Sequence, residues 1–195
     1  GTGDGRNFNI WTIQQDGTGA QQISHGTLDE FPTCSPDGKW LFYIDGDARK
    51  LMKVPISGGT AQSVGSAPSD TTGGLDLSKD GKTVLLGTYD FKLRKPDISL
   101  VDADSGRVLR ILQYDPRHVG RLCLSPDGKG VVYSIYEKGA GNLWLQPLDG
   151  GPGRQITHFT SLRIYSYAWS ADGKRLALVR GDDPSDLVLV RENKN

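Results

Sequence analysis

Aromatic and arginine side chains recur together in the loop segments of this 195-residue chain: Phe91 and Arg94, Tyr114 and Arg117, Tyr136, then Phe159, Arg163 and Tyr165. Such side chains combine large contact area with polar handles, which is the chemistry of gripping a protein, a peptide or a small ligand. The competing reading is a solvated rim whose aromatics pack on their own elements. Catalytic patterns do not match. The Gly-x-Ser-x-Gly nucleophile elbow is missing, and Gly81-Lys82-Thr83 has Asp76 where a phosphate loop needs its first glycine. No enzyme activity is expected of this chain.

His25, His118 and His158 fall in loops with no two-histidine spacing, and Asp45-Gly46-Asp47 and Asp182-Asp183 lack the calcium-loop pattern, so neither a metal nor a cofactor is expected. Arg180-Gly181-Asp182 reads as a hairpin tripeptide. Cys34 and Cys123, one and two places before a conserved-spacing serine, point to opposite sheet faces and read as buried free thiols. Lys plus Arg equals Asp plus Glu at 23 each, which gives no field for a nucleic acid partner. Apolar runs stay far below the roughly 18 to 20 residues of a membrane span. The chain opens on Gly1-Thr2-Gly3 without Met or a signal-peptide pattern, and its native start is expected elsewhere.

The elements that position these loops come from a repeat. Ser-x-Asp-Gly-Lys begins at Ser35, Ser78, Ser125 and Ser170, spacings of 43, 47 and 45 residues. A short apolar segment precedes each cassette (31–34, 74–77, 121–124, 166–169) and a second strand follows it (40–44, 83–88, 131–135, 175–179), with Asp-Gly making the tight turn. Third strands are expected at 51–56, 98–102, 143–148 and 187–190, and fourth strands at 61–64, 108–112 and 154–157. The reading is all-β, without helices: a β-propeller of four-stranded antiparallel blades, four to five of them visible. Blades divide at 1–30 (partial), 31–73, 74–120, 121–165 and 166–195 (partial).

The cassettes, Asn142-Leu143-Trp144-Leu145 with its counterpart Asn9-Ile10-Trp11-Thr12, and Gly150 to Thr157 resemble the TolB-type propeller repeat over nearly the whole chain. At the start, 9–14 and 20–24 match third and fourth strands with no first two before them. Three complete repeats with two incomplete ones fit the carboxy-terminal part of a larger ring, closed by missing blades or a second copy. A four-bladed ring closed by 20–24 is the alternative.

The resemblance implies a non-catalytic scaffold that binds a protein or peptide partner, or a small ligand, through its loop face, in a periplasmic or extracytoplasmic setting and without inserting in a membrane. One alternative is the sensor domain of a bacterial Ser/Thr kinase or winged-helix regulator. Another is the propeller gate of a prolyl-oligopeptidase-like peptidase.

Overall fold

The computed structural model describes residues 7–67, 71–90, 95–115, 117–170 and 172–182, with the backbone alone at 71–73, 89–90, 95 and 118–120. No helix occurs among the described residues. The strands are β1 (Trp11–Thr12), β2 (Gln21–Gln22), β3 (Asp29–Cys34), β4 (Trp40–Asp45), β5 (Lys50–Pro55), β6 (Gln62–Ser66), β7 (Thr71–Leu77) and β8 (Thr83–Asp90). They continue as β9 (Lys95–Asp102), β10 (Val108–Gln113), β11 (His118–Leu124), β12 (Gly130–Glu137), β13 (Ala140–Pro147), β14 (Arg154–Gln155), β15 (Arg163–Trp169) and β16 (Leu176–Gly181). They form three four-stranded meanders, β3 to β6, β7 to β10 and β11 to β14, flanked by the pairs β1–β2 and β15–β16. The expected strand 187–190 lies outside the described residues.

Each cassette folds by the same local bonds. In the third, the Ser125 hydroxyl donates to Asp127 Oδ1 at 2.5 Å, that oxygen accepts the Lys129 N–H at 3.0 Å, and Ser125 Oγ accepts the Gly130 N–H at 2.9 Å. Gly38, Gly81, Gly128 and Gly173 all sit at φ of 69° or 70°, where a Cβ is strained. The cassette is therefore a turn that starts β4, β8, β12 and β16.

The serine hydroxyl, followed by the lysine N–H, holds Asp37, Asp80, Asp127 and Asp172 below the usual carboxylate range. A carboxyl depressed in the folded state adds stability above its unfolded value, near pH 4, and that stability is lost as pH falls through the folded value. The thermal midpoint should thus hold steady above about pH 5 and fall below about pH 4, with a smaller fall once the four cassette serines are alanine. An unchanged pH profile in that variant would refute the assignment.

Side-chain alternation lets one strand serve two interfaces. Leu41 and Tyr43 of β4 pack with Ile10 and Ile23, while Phe42 and Ile44 pack with Leu75, Val84 and Leu86 of the next sheet. Val131, Tyr133 and Ile135 of β12 face Leu85 and Ile98, whereas Val132 faces Ile164 and Tyr167. Four apolar clusters thereby fill the four gaps between successive units. The first strands β3, β7, β11 and β15 come next to one another in order, so they form the inner wall and β6, β10 and β14 the rim.

Three details depart from the sequence reading. The first strands begin two or three residues early, at Asp29, Thr71, His118 and Arg163, because each carries an irregularity in its pairing with the second strand. Extra residues in bulges break the period-2 pattern that marks strand limits. His118 accordingly opens β11 instead of lying in a loop. Both cysteines are free, but only Cys123 is buried; Cys34, the last residue of β3, is exposed.

Candidate binding face

Successive antiparallel strands put the cassettes at one end of the blades and the β4–β5, β8–β9, β12–β13 and β14–β15 connections at the other. Glu137 pairs with Ala140, leaving Lys138 and Gly139 as a two-residue hairpin turn with φ of 52° and 81°. Positive φ at both central residues marks the type I′ geometry, which follows strand twist. The neighbouring connection is fastened by Asn142. Its Oδ1 accepts the Phe159 N–H at 2.7 Å, its Nδ2 donates to the Phe159 carbonyl at 3.0 Å, and the Thr157 hydroxyl donates to the same Oδ1 at 3.0 Å. Asn9 repeats the arrangement, donating to the Gly26 carbonyl at 2.7 Å. The asparagine of the Asn-x-Trp motif thus holds the loop that presents Phe159.

Two cavities straddle the β12–β13 hairpin and share Ile135. One, of about 190 Å³, is lined by Tyr136, Gly141, Arg163 and Tyr165 among others. The other, of about 340 Å³, is lined by Glu137, Lys138, Asn142, Trp144, Gln155 and Phe159 among others. Close approach of backbones shapes the first: a Cβ on Gly141 would stand 2.7 Å from the Ile164 nitrogen, and the Gly141 N–H donates to the Leu162 carbonyl at 2.8 Å. Leu162 holds φ of 66°, a left-handed conformation costing about 1–2 kcal/mol in an L-residue, and so turns the chain to deliver Arg163.

The Arg163 guanidinium lies 4.3 Å from the Tyr136 ring centroid, and Tyr165 beside it is 50 % exposed. Among the described residues Arg163 forms no ion pair and its guanidinium no hydrogen bond. Among those residues no carboxylate answers its charge, while the Tyr136 ring lies against its plane. Arg117 is different. It donates to Asp115 at 2.5 and 2.9 Å and to Glu137 at 3.0 Å. These bonds, Asp115's foremost, raise its pKa and lower that of Asp115. Two carboxylates already answer that cation.

The remaining expected residues divide in the same way. Phe159 carries the Arg180 guanidinium at 3.5 Å from its centroid, and Arg180 Nη2 donates to the Ser161 carbonyl at 2.6 Å. The arginine of Arg180-Gly181-Asp182 thus ties the end of β16 to the β14–β15 connection. Tyr114 is 8 % exposed, its ring 5.4 Å from that of Tyr133, so it belongs to the apolar cluster between the second and third sheets. Burial pushes its hydroxyl up to about 12. Phe91 and Arg94 lie outside the described residues. Arg180 was the residue that loop reading passed over, although the cassette alignment sets it level with Ile135 beside this face. Among the described residues no group of three or more His, Cys, Asp or Glu could hold a metal ion.

Stacked four-stranded meanders with their first strands around a common inner wall define the architecture. The chain is an array of β-propeller blades. TolB from Acinetobacter baumannii superposes with a TM-score of 0.73 at 20 % identity, over 91 % of this chain and 44 % of that one. Tricorn protease homolog 1 of Streptomyces coelicolor is 37 % identical over 82 residues, which is 42 % of this chain and 8 % of that protein. The uncharacterized peptidase YuxL of Bacillus subtilis is 27 % identical over 201 residues, 96 % of this chain and 28 % of the peptidase. The chain therefore matches less than a third of the length of either curated relative. No protein-family model matches it.

Proposed function

We propose that this blade array is a non-catalytic binding module that holds a peptide, or an exposed segment of a protein, across the loop face of the β11–β14 and β15–β16 units. The observation that carries the reading is Arg163 stacked on Tyr136, without an ion-pair partner among the described residues, in a cavity it shares with the exposed Tyr165. A guanidinium presented edge-on by an aromatic plane suits backbone carbonyls and carboxylates, and the two flanking cavities suit adjacent side chains. The TolB-type resemblance supports an extracytoplasmic setting. Missing blades or a second copy would cover the outward faces that leave Trp11 59 % and Val179 59 % exposed.

Random peptides displayed with amidated C-termini, selected on the immobilised protein, test the proposal. Enrichment of a peptide family whose binding falls on Arg163→Ala supports it. No enrichment, or binding indifferent to Arg163, sinks it.

A second reading has a specific observation behind it, since curated relatives matching parts of the chain are named as peptidases. The blades would then belong to a peptidase and pass or hold its peptide substrates. Both readings share the ligand class; peptide hydrolysis by the parent protein, abolished by a serine-directed inhibitor, would decide for the second.

A further inference from the structure

At the cassette end of the inner wall, β7, β11 and β15 enclose a cavity of about 220 Å³ that the loop face does not use. Asp76, Arg121, Cys123, Tyr167 and Trp169 form its sides, and Lys79 stands on its rim. Most of the polar groups there are occupied. Asp76 accepts the Leu77 N–H at 2.9 Å and, across the sheet boundary, the Leu124 N–H at 2.8 Å. The Ser78, Ser125 and Ser170 hydroxyls donate to their own cassette aspartates. The Tyr167 hydroxyl lies 2.5 Å from the Arg121 carbonyl and 2.9 Å from that of Val132. Burial, with the Asp76 charge adding, pushes the Cys123 thiol up to about 12, so it stays neutral.

What remains open is cationic and donating. Lys79 and Arg121 are exposed, and neither forms an ion pair among the described residues. The Trp169 indole N–H is buried with only the Cys123 sulfur, a weak acceptor, to receive it. A buried donor so weakly matched gains from a better acceptor, since an unsatisfied one costs about 1–3 kcal/mol. Lys79 and Arg121 stand against two carboxylates, Asp76 in the cavity and Asp172 near Lys79, so the formal charges balance and a monoanion is easier to accommodate than a phosphate dianion.

We propose that this cavity is a carboxylate-binding site, with Lys79 and Arg121 as counter-charges and the Trp169 N–H as a hydrogen-bond donor. The carboxylate is the C-terminus of a peptide or a small free acid. The site lies at the opposite end of the blades from the loop face and stands or falls separately from it.

Isothermal titration at low ionic strength with N-acetyl-trialanine as free acid, the same peptide as amide, acetate and inorganic phosphate tests the site. The free acid should bind saturably and the amide about tenfold more weakly or worse, the loss expected for a charge-assisted hydrogen bond. Lys79→Gln and Arg121→Gln, both at exposed positions, should each weaken the acid about tenfold, and Trp169→Phe a few-fold, while Val108→Ala, on the exposed rim, leaves it unchanged. Acetate binding as well as the peptide acid identifies a free carboxylate as the ligand; weaker acetate identifies the peptide terminus. No saturable binding of any acid, equal affinity for acid and amide, phosphate binding more tightly than carboxylate, or indifference to both Lys79→Gln and Arg121→Gln would overturn the assignment.

Discussion

Leu122→Ala should lower the free energy of unfolding by about 2–5 kcal/mol, because the lost transfer energy is compounded by a cavity that the surroundings fill only in part. Leu122 is fully buried on β11, where it meets Leu85, Ile98 and Leu100 of the second sheet and Val131 and Tyr133 of its own. The void would open between two sheets, at the kind of interface that binds successive units of a repeat array. Val108→Ala is the matched control. Val108 is 52 % exposed on the rim strand β10, and its truncation should stay within about 0.5 kcal/mol. Urea unfolding of both variants makes the comparison. If Leu122→Ala cost no more than Val108→Ala, the blades would not be stabilised through shared inter-sheet cores.

Tyr136→Ala should weaken peptides selected on the loop face by about tenfold to thirtyfold, the scale of truncating an aromatic anchor at an interface. The ring contributes its own contact surface and also orients Arg163 at 4.3 Å. Removing it frees the guanidinium to wander, so part of its contribution goes as well. Coupling follows: Tyr136→Ala with Arg163→Ala should lose less than the two single losses combined, as residues in contact do. Arg117→Ala should change peptide affinity little, since Asp115 and Glu137 already engage its charge. Fluorescence anisotropy with the four variants would check this, and additive losses would show that Tyr136 and Arg163 act apart.

The parts of this molecule that could be read from its sequence are those fixed by short-range bonds. Ser125, Asp127, Lys129 and Gly130 close their turn within six residues of chain, so the cassette announces the hairpin wherever it occurs. Alternation in segments such as Val131-Val132-Tyr133 set out the strands, and their equal spacing set out the blades. Bulged starts at Asp29 and Arg163 were not legible, because an unpaired extra residue has no fixed side-chain signature.

At the site, residue type alone could gather Tyr114 and Tyr136 but not separate them. Which of them faces water depends on whether Tyr133 of the next sheet stands opposite. Arg117 and Arg163 look alike in sequence, yet Asp115, two residues away, and Glu137, across the connection, engage the first. Cys34 and Cys123 differ for the same reason. Cys123 has β15 packed over it, with Tyr167 in its cluster, while Cys34 is left exposed at the end of β3.

The most direct test of the loop-face account is photo-cross-linking, with p-benzoylphenylalanine placed at Tyr165 in one protein and at Val108 in another. The probe is the tightest selected peptide, C-terminally amidated to keep it off the carboxylate cavity. The account predicts a cross-link from position 165, reduced by Arg163→Ala, and none from position 108. A cross-link from 108 alone, or from neither position under saturating peptide, would contradict it.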